Sequence, residues 1–451
     1  MEVKQYVEKY RQQLLDYLST LVSYNSVEGQ ASADAPFGQG PKDCLHAALK
    51  ICDELGFETK NLDNYCGYAQ IGQGEQVIGV LGHLDIVPCG EGWDSDPFKM
   101  DIRDGKVYGR GVSDDKGAVV ASMIALKILK DMGIDINKRV RLIMGCNEET
   151  GSRCLAHYVE CEGHIDMGFT PDGDFPGVHG EKGMIAAMMK SKTTKIIDIK
   201  GGVASNVVCN HCIVKVEKNS FSKRLLEDHF NNNDISYTIE EDDDIITLDV
   251  KGVSAHASTP DLGVNAISHA LYALKTAGYN DPFVDFYCSH IGLETDGKML
   301  GVALSDDYGS LTLNNGVIYK EGDTIYATID IRFPVTMISK QIVGLMEENL
   351  EDENGVIEIQ SKHEPLFYPI DSPLVSKLLS AYQEVTQDYD TLPMTMGGGT
   401  YAKGIHNCIA FGCAFLGEDN HIHDANESCA IESLMKQVEI YTIAIMKLLE
   451  N

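Results

Sequence analysis

Short apolar runs alternate with helix-period segments through the first part of this chain, and that alternation constrains the fold more than any other feature. Residues 77–81 are apolar throughout and 140–145 are apolar but for Arg141, as suits strands buried on both faces. Between them, residues 117–132 repeat apolar side chains at helical spacing up to Gly133. Val3, Val7, Tyr10, Leu14, Leu18 and Leu21 predict an earlier helix, and Leu45, Ala48, Leu49, Cys52 and Leu55 predict another that stops at Gly56. Parallel strands joined by helical crossovers, an α/β class with a mostly parallel sheet, are the expectation.

At 451 residues the chain exceeds what one core usually serves, about 250–300 residues, so a second domain is expected. From residue 186 the pattern becomes hairpin-like. Segments 236–239 and 245–250 flank an acidic run, 240–244, read as a solvated turn. A helix over 262–276, a strand over 324–331 and an amphipathic segment over 342–350 complete an inserted α+β domain. Pro365, Pro369 and Pro373 mark the return path, and helices are expected over 374–385 and 431–449. The division is then 1–185 and 366–451 for the first domain, with 186–365 inserted.

The charge excludes several function classes. Lys and Arg number 37 against 68 Asp and Glu, leaving a net charge of −31, which repels nucleic acid and anionic membrane alike. Residues 1–11 are charged where a signal peptide is apolar, and no run of about 18 apolar residues occurs, so the cytoplasm is the expected location. Thirteen cysteines without framework spacing suit a reducing compartment. Cys209 and Cys212 form one CxxC pair with no second pair nearby, and a pair of small core residues is the expected reading.

The chemistry-bearing residues cluster where apolar runs end. Val-Leu-Gly-His83-Leu-Asp85 sets an imidazole and a carboxylate two apart at a strand end, where α/β sheets bind ligands. Asp85 can steady the imidazole or a neighbouring ligand or base, and the pair alone serves equally as buried structure. Asp114-Asp115 sit in a Gly-punctuated turn opening a helix, where cap and metal ligand are both open readings. Glu148-Glu149 follow the run 140–145, and Asp172 follows the strand-like 167–170. In a parallel sheet these groups converge on one edge, and like charges packed there are costly without a cation. Near the other end, Asp419-Asn-His421-Ile-His423 offers two imidazoles, either a ligand or part of a polar loop.

Together, His83-Leu-Asp85, Gly-Arg-Gly-Val-Ser-Asp114-Asp115-Lys-Gly, Glu148-Glu149-Thr-Gly, Asp172 and His423 resemble, in order, the motifs of the dizinc aminoacylase and glutamate carboxypeptidase superfamily. Within it, Gly92-Trp93-Asp-Ser-Asp-Pro-Phe98, Phe169-Thr-Pro-Asp172, Gly397-Gly-Gly-Thr400-Tyr-Ala and His423-Asp-Ala-Asn-Glu427 resemble the PepV-type dipeptidases. The resemblance implies a zinc-exopeptidase-like catalytic domain with an inserted lid. It implies two divalent ions, zinc first, manganese or cobalt next, bridged by Asp114. His83 and Asp172 complete one site, and Glu149 and His423 the other. Glu148 becomes the general base, Asp85 the carboxylate that orients a ligand or the base, and a cis peptide joins Asp114 to Asp115.

In the inserted domain, Gly201-Gly-Val-Ala-Ser-Asn206 and Ser254-Ala-His256-Ala-Ser-Thr-Pro260 match segments of relatives, as does Gly263-Val-Asn265. The resemblance makes His256 an oxyanion donor, with Asn206 beside the substrate and Arg332 its carboxylate partner. Read without it, His256 is a loop histidine and Arg332 a strand-surface cation. Gly398 and Thr400 are expected against the substrate backbone, although glycine there also suits a tight turn. The inserted length resembles the enlarged lid of self-sufficient relatives, so a monomer is expected.

The function implied is hydrolysis of unblocked dipeptides by metal-activated water. An N-acyl amino acid deacylase needs the same groups and differs in ignoring a free α-amino group. A non-catalytic metal-binding protein would lack a ligand or the base, and an acidic interaction protein would not need the ordered strand-end set.

Overall fold

The computed structural model describes residues 3–218 and 221–450, and the chain divides into two compact units. The first comprises residues 1–180, 368–394 and 399–451, and the second 181–367 with the short strip 395–398.

At the centre of the first unit, Val77–His83 lies parallel between Arg139–Gly145 and Met167–Thr170, and Met167–Thr170 runs parallel to Cys408–Ala410. Every residue of Val77–His83 is buried, which accounts for its apolar sequence as far as His83. The register pairs His83 with Gly145, and Thr170 Oγ1 donates to the Leu81 carbonyl at 2.7 Å, so these strands end together. The α/β class is as expected. The sheet is parallel only across its centre: Glu58–Leu62 and Cys66–Ile71 form an antiparallel hairpin paired antiparallel to Arg139–Gly145. A tight turn around Asp63 and Asn64 permits only this antiparallel return.

The helix Lys116–Asp131 is buried along most of its length, between the Val77–His83 and Arg139–Gly145 strands and the helices Val3–Val22 and Ile431–Leu449. Gln39–Glu54 and Arg153–Glu162 cover the Glu58–Leu62 hairpin. The Asp114–Asp115 bond is cis, as the resemblance implies, and so is Phe175–Pro176.

The second unit is built on an antiparallel sheet. Gly183–Ser191 pairs along its whole length with Thr324–Phe333, with alternate residues of Gly183–Ser191 buried. Leu271, Phe283, Tyr287 and Ile342, from three helices, join that buried face in one core. Two expectations need correction. The strand Tyr237–Asp242 takes up three of the five acidic residues, leaving only Asp243 and Asp244 as the turn, because cross-strand pairing runs to Asp242–Ile245. The helix expected from 262 starts at Ala266, because Asn265 caps it by accepting the amides of Ile267 and Ser268. Cys209 and Cys212 are buried, free and packed in the apolar core.

Candidate active site

The C-terminal ends of the parallel strands deliver the chemistry to one edge of the first unit. His83 closes its strand, and the next turn is folded by backbone bonds that fix the ring. His83 Nδ1 is 2.9 Å from the main-chain carbonyl of Asp85, so Nδ1 carries the proton and Nε2 faces the site. The main-chain carbonyl of Asp85 thus steadies the ring, and its carboxylate, 3.6 Å from Nδ1, turns toward the next strand end. Asp85 Oδ1 accepts the amide of Glu148 at 3.0 Å and Oδ2 that of Glu149 at 3.1 Å.

His83 Nε2 meets Asp114 Oδ1 at 2.9 Å and lies 4.0 Å from Asp172 Oδ2. The other oxygen of Asp114 lies 2.9 Å from His423 Nε2, which is also 3.3 Å from Glu149 Oε1. Two groups able to hold a metal ion result, His83 with Asp114 and Asp172, and Asp114 with Glu149 and His423, each with ligand atoms within 4.8 Å of one another. Asp114 belongs to both and turns one oxygen toward each histidine. His421, the other candidate imidazole of its loop, lies instead 3.8 Å from Asp419.

The electrostatics are those of a site built around positive charge. Burial opposes the ionised form of Asp114, yet hydrogen bonds to His423 and His83 hold its carboxyl below the usual carboxylate range. Hydrogen bonds to Asp114 and Glu149 push His423 up to about 10. Burial and the neighbouring charge of Asp172 push Glu148 well above the ordinary carboxyl value. Glu149 Oε1 is buried, and His423 at 3.3 Å is the neighbour it turns to. Buried carboxylate oxygens in a set of two imidazoles and three carboxylates fit a divalent cation of the zinc, manganese or cobalt type.

Asp115 occupies the cap position of Lys116–Asp131, but its side chain caps nothing. Asp115 Oδ2 accepts the His83 amide at 3.1 Å, tying the turn to the strand end. Three neighbours escaped the sequence reading. Glu427, fully buried, accepts the amides of Gly111, Ser113 and Asp114 and pairs with Arg110 at 2.8 Å. Lys116, also buried, donates to the carbonyls of Leu21 and Tyr24. Tyr401 sets its ring edge-on to His83, centroids 6.3 Å apart, with its hydroxyl 3.0 Å from Cys154 Sγ. Gly145 makes room for Tyr401, since a Cβ there would lie 2.0 Å from the phenol oxygen. The Arg-Gly-Val-Ser-Asp-Asp-Lys string and the Glu ending the His423 motif carried the signal for the first two, but nothing in one dimension joins residues so far apart. The same motif reaches residues 92–98, where Asn426 Oδ1 accepts the Asp94 amide at 2.9 Å. Thr400 Oγ1 accepts the Ala402 amide at 3.2 Å and so caps the turn that carries Tyr401.

The second unit carries the other expected residues. Asn206 and His256 are exposed on adjacent segments, the Ala257 amide donating to the Asn206 carbonyl at 2.9 Å. His256 Nδ1 lies 2.7 Å from Ser258 Oγ. Arg332 is buried and gripped by Asp330 through Nε at 2.6 Å and Nη2 at 2.9 Å. Its Nη1 donates to the Gly397 carbonyl at 3.0 Å, bringing the guanidinium beside the loop that holds Gly398.

Residues 79–447 match the model of "Peptidase family M20/M25/M40". The chain is 34% identical to "Putative dipeptidase YtjP" of Bacillus subtilis, with 98% of each covered. It is 32% identical to "Putative dipeptidase SH1171" of Staphylococcus haemolyticus, with 99% of each covered. Among solved structures, human carnosine dipeptidase 1 superposes with a TM-score of 0.58 at 16% identity, covering 100% of this chain and 98% of the other. The di-peptidase Dug1p of Saccharomyces cerevisiae gives 0.59 at 15% identity, with 100% and 98% covered, a likeness of fold.

Proposed function

Because the chain belongs to peptidase family M20/M25/M40, we propose that it is a metal-dependent dipeptidase of unblocked dipeptides with Glu148 as general base. The observation that carries this reading is Asp114, whose Oδ1 lies 2.9 Å from His83 Nε2 and whose Oδ2 lies 2.9 Å from His423 Nε2. His83, Asp114 and Asp172 would hold one divalent ion, and Asp114, Glu149 and His423 a second, with zinc first in order and manganese or cobalt next. Such ions, when bound, lower the pKa of water and polarise a carbonyl.

The chain's own residues do the rest. Glu148, outside both ligand groups, takes a proton from water at its carboxylate and returns it to the departing amine. Asp85 keeps Glu148 and Glu149 in register by holding both their amides. His256 and Asn206, exposed on the second unit, would donate to the carbonyl oxygen as negative charge develops there. Arg332, its plane fixed by Asp330, would recognise the free α-carboxylate, with Gly398 and Thr400 near the substrate backbone.

Among the described residues no helix is long and apolar enough to cross a membrane. We place the reaction in the cytoplasm, on thirteen cysteines without the spacing of a disulfide framework, and in a monomer, on the length of the inserted domain.

The test is hydrolysis of matched substrates by metal-reconstituted protein: an unblocked dipeptide, then its N-acetyl and N-succinyl counterparts. Cleavage of the unblocked dipeptide alone, lost with chelator and in Glu148→Ala, is the expected result. Preference for an acylated amino acid would replace this reading by a deacylase, and metal binding without turnover would remove catalysis altogether.

A further inference from the structure

Away from the strand-end cluster, Asp63, His157 and Cys161 bring three kinds of metal ligand to one point of the first unit. We propose that they form a separate zinc site, with three protein ligands and a fourth position open to water.

The separations are close to those of ligands on one tetrahedral ion. His157 Nε2 lies 3.0 Å from Asp63 Oδ2 and 3.6 Å from Cys161 Sγ. Tetrahedral zinc, with bonds of about 2.0–2.1 Å to nitrogen and oxygen and about 2.3 Å to sulfur, separates these pairs by about 3.3 and 3.6 Å. One ring nitrogen faces both a carboxylate and a thiol. A lone pair directed at a shared cation would satisfy all three groups at once.

The scaffold fixes these positions. His157 and Cys161 stand one turn apart on Arg153–Glu162, on the same face. Asp63 sits in the turn between Glu58–Leu62 and Cys66–Ile71, at a φ of 52°. The His157 ring stacks on Tyr65 with centroids 4.3 Å apart, and Tyr65 meets buried Phe37 edge-on at 5.2 Å, so the imidazole plane is set by packing. Glu162, next to Cys161, is tied to Arg141 at 2.9 Å and Lys60 at 2.6 Å and so keeps its carboxylate for them. Of the thirteen cysteines Cys161 is the only exposed one, and Asp63 is 77% exposed, so a solvent ion has direct entry.

The donor set also separates this site from the strand-end cluster. A thiolate selects zinc or cobalt over manganese, magnesium and calcium, while the carboxylate-rich cluster does not discriminate in this way. Zinc here would join the hairpin turn to the helix that begins four residues after Glu149. It would stabilise that helix by mass action without entering the reaction.

Cobalt(II) titration of the reduced, full-length protein tests the proposal, because a thiolate ligand gives an intense near-ultraviolet charge-transfer band that carboxylates and imidazoles do not. With cobalt in excess of the strand-end sites, the band is expected in the wild type and equally in Glu149→Gln, which removes a ligand of one of those sites only. Cys161→Ser should lack it, His157→Gln should weaken it at least tenfold in cobalt affinity, and zinc should displace the signal. Wild-type protein without the band, or Cys161→Ser retaining it at full strength, would overturn the assignment. Circular dichroism of each variant separates loss of the site from loss of fold, and failure of dipeptide hydrolysis would leave the band unchanged.

Discussion

Asp85 Oδ1 accepts the main-chain N–H of Glu148 at 3.0 Å, while Oδ2 of the same carboxylate accepts that of Glu149 at 3.1 Å. One side chain thus sets the position of both glutamates, and through them relates the proposed base to a proposed ligand. Its neighbour His83 is held by the same turn, through the Asp85 carbonyl.

Replacing Asp85 by Asn leaves one acceptor and turns an N–H₂ group against a backbone N–H. Peptidase activity and metal affinity are expected to fall by about 10–100-fold, the usual cost of losing an orienting partner. Turnover and metal content measured side by side check this. Unchanged activity would show that the loop keeps its place without the clamp.

Glu148 and Glu149 are adjacent but should fail differently. Glu148→Gln is expected to lower kcat by about 10²–10⁴-fold, the range for loss of a general base, with bound metal unchanged. Glu149→Gln should lose metal first, and excess metal should restore part of the rate. Equal metal loss in both variants would contradict the division of roles.

The ion pair of Arg110 with Glu427 is fully buried, and Glu427 also gathers three amides of the turn that presents Asp114. Breaking a buried pair from one side costs about 3–5 kcal/mol. Glu427→Gln is therefore expected to lower unfolding stability by that order and to reduce metal binding as well. Denaturant unfolding gives the first quantity and metal titration the second.

The second unit has its own acid response. His269 is pushed down to about 4 by burial and by neighbouring His229, whose ring lies 3.3 Å away. The unfolded chain takes the proton near pH 6.5, before the folded one does. Stability is then full above about 6.5 and falls as the pH drops toward 4. His269→Gln should flatten this part of the stability profile, read from melting temperature between pH 7 and 4. An unchanged slope would place the acid sensitivity elsewhere.

Much of the first unit could be read along the chain because its signals are local. The apolar run of Val77–His83 marks a strand buried on both faces, and the period of Ile431–Leu449 marks a helix. The second unit was read less sharply: pairing beyond the turn drew Glu240 to Asp242 into a strand, and the Asn265 cap delayed a helix start. Both outcomes depend on partners that a local pattern does not contain.

The sequence by itself determined the residue types of the site and their order, because motifs such as His83-Leu-Asp85 and Glu148-Glu149 are short and fall at strand ends. The tertiary structure alone decided how they are used. The Asp85 carboxylate goes to two amides instead of the imidazole, Asp115 leaves its helix uncapped to hold a strand end, and Glu427 crosses more than three hundred residues to shape the Asp114 turn. A hydrogen bond depends on distance and direction in space, and those are fixed only when distant segments pack.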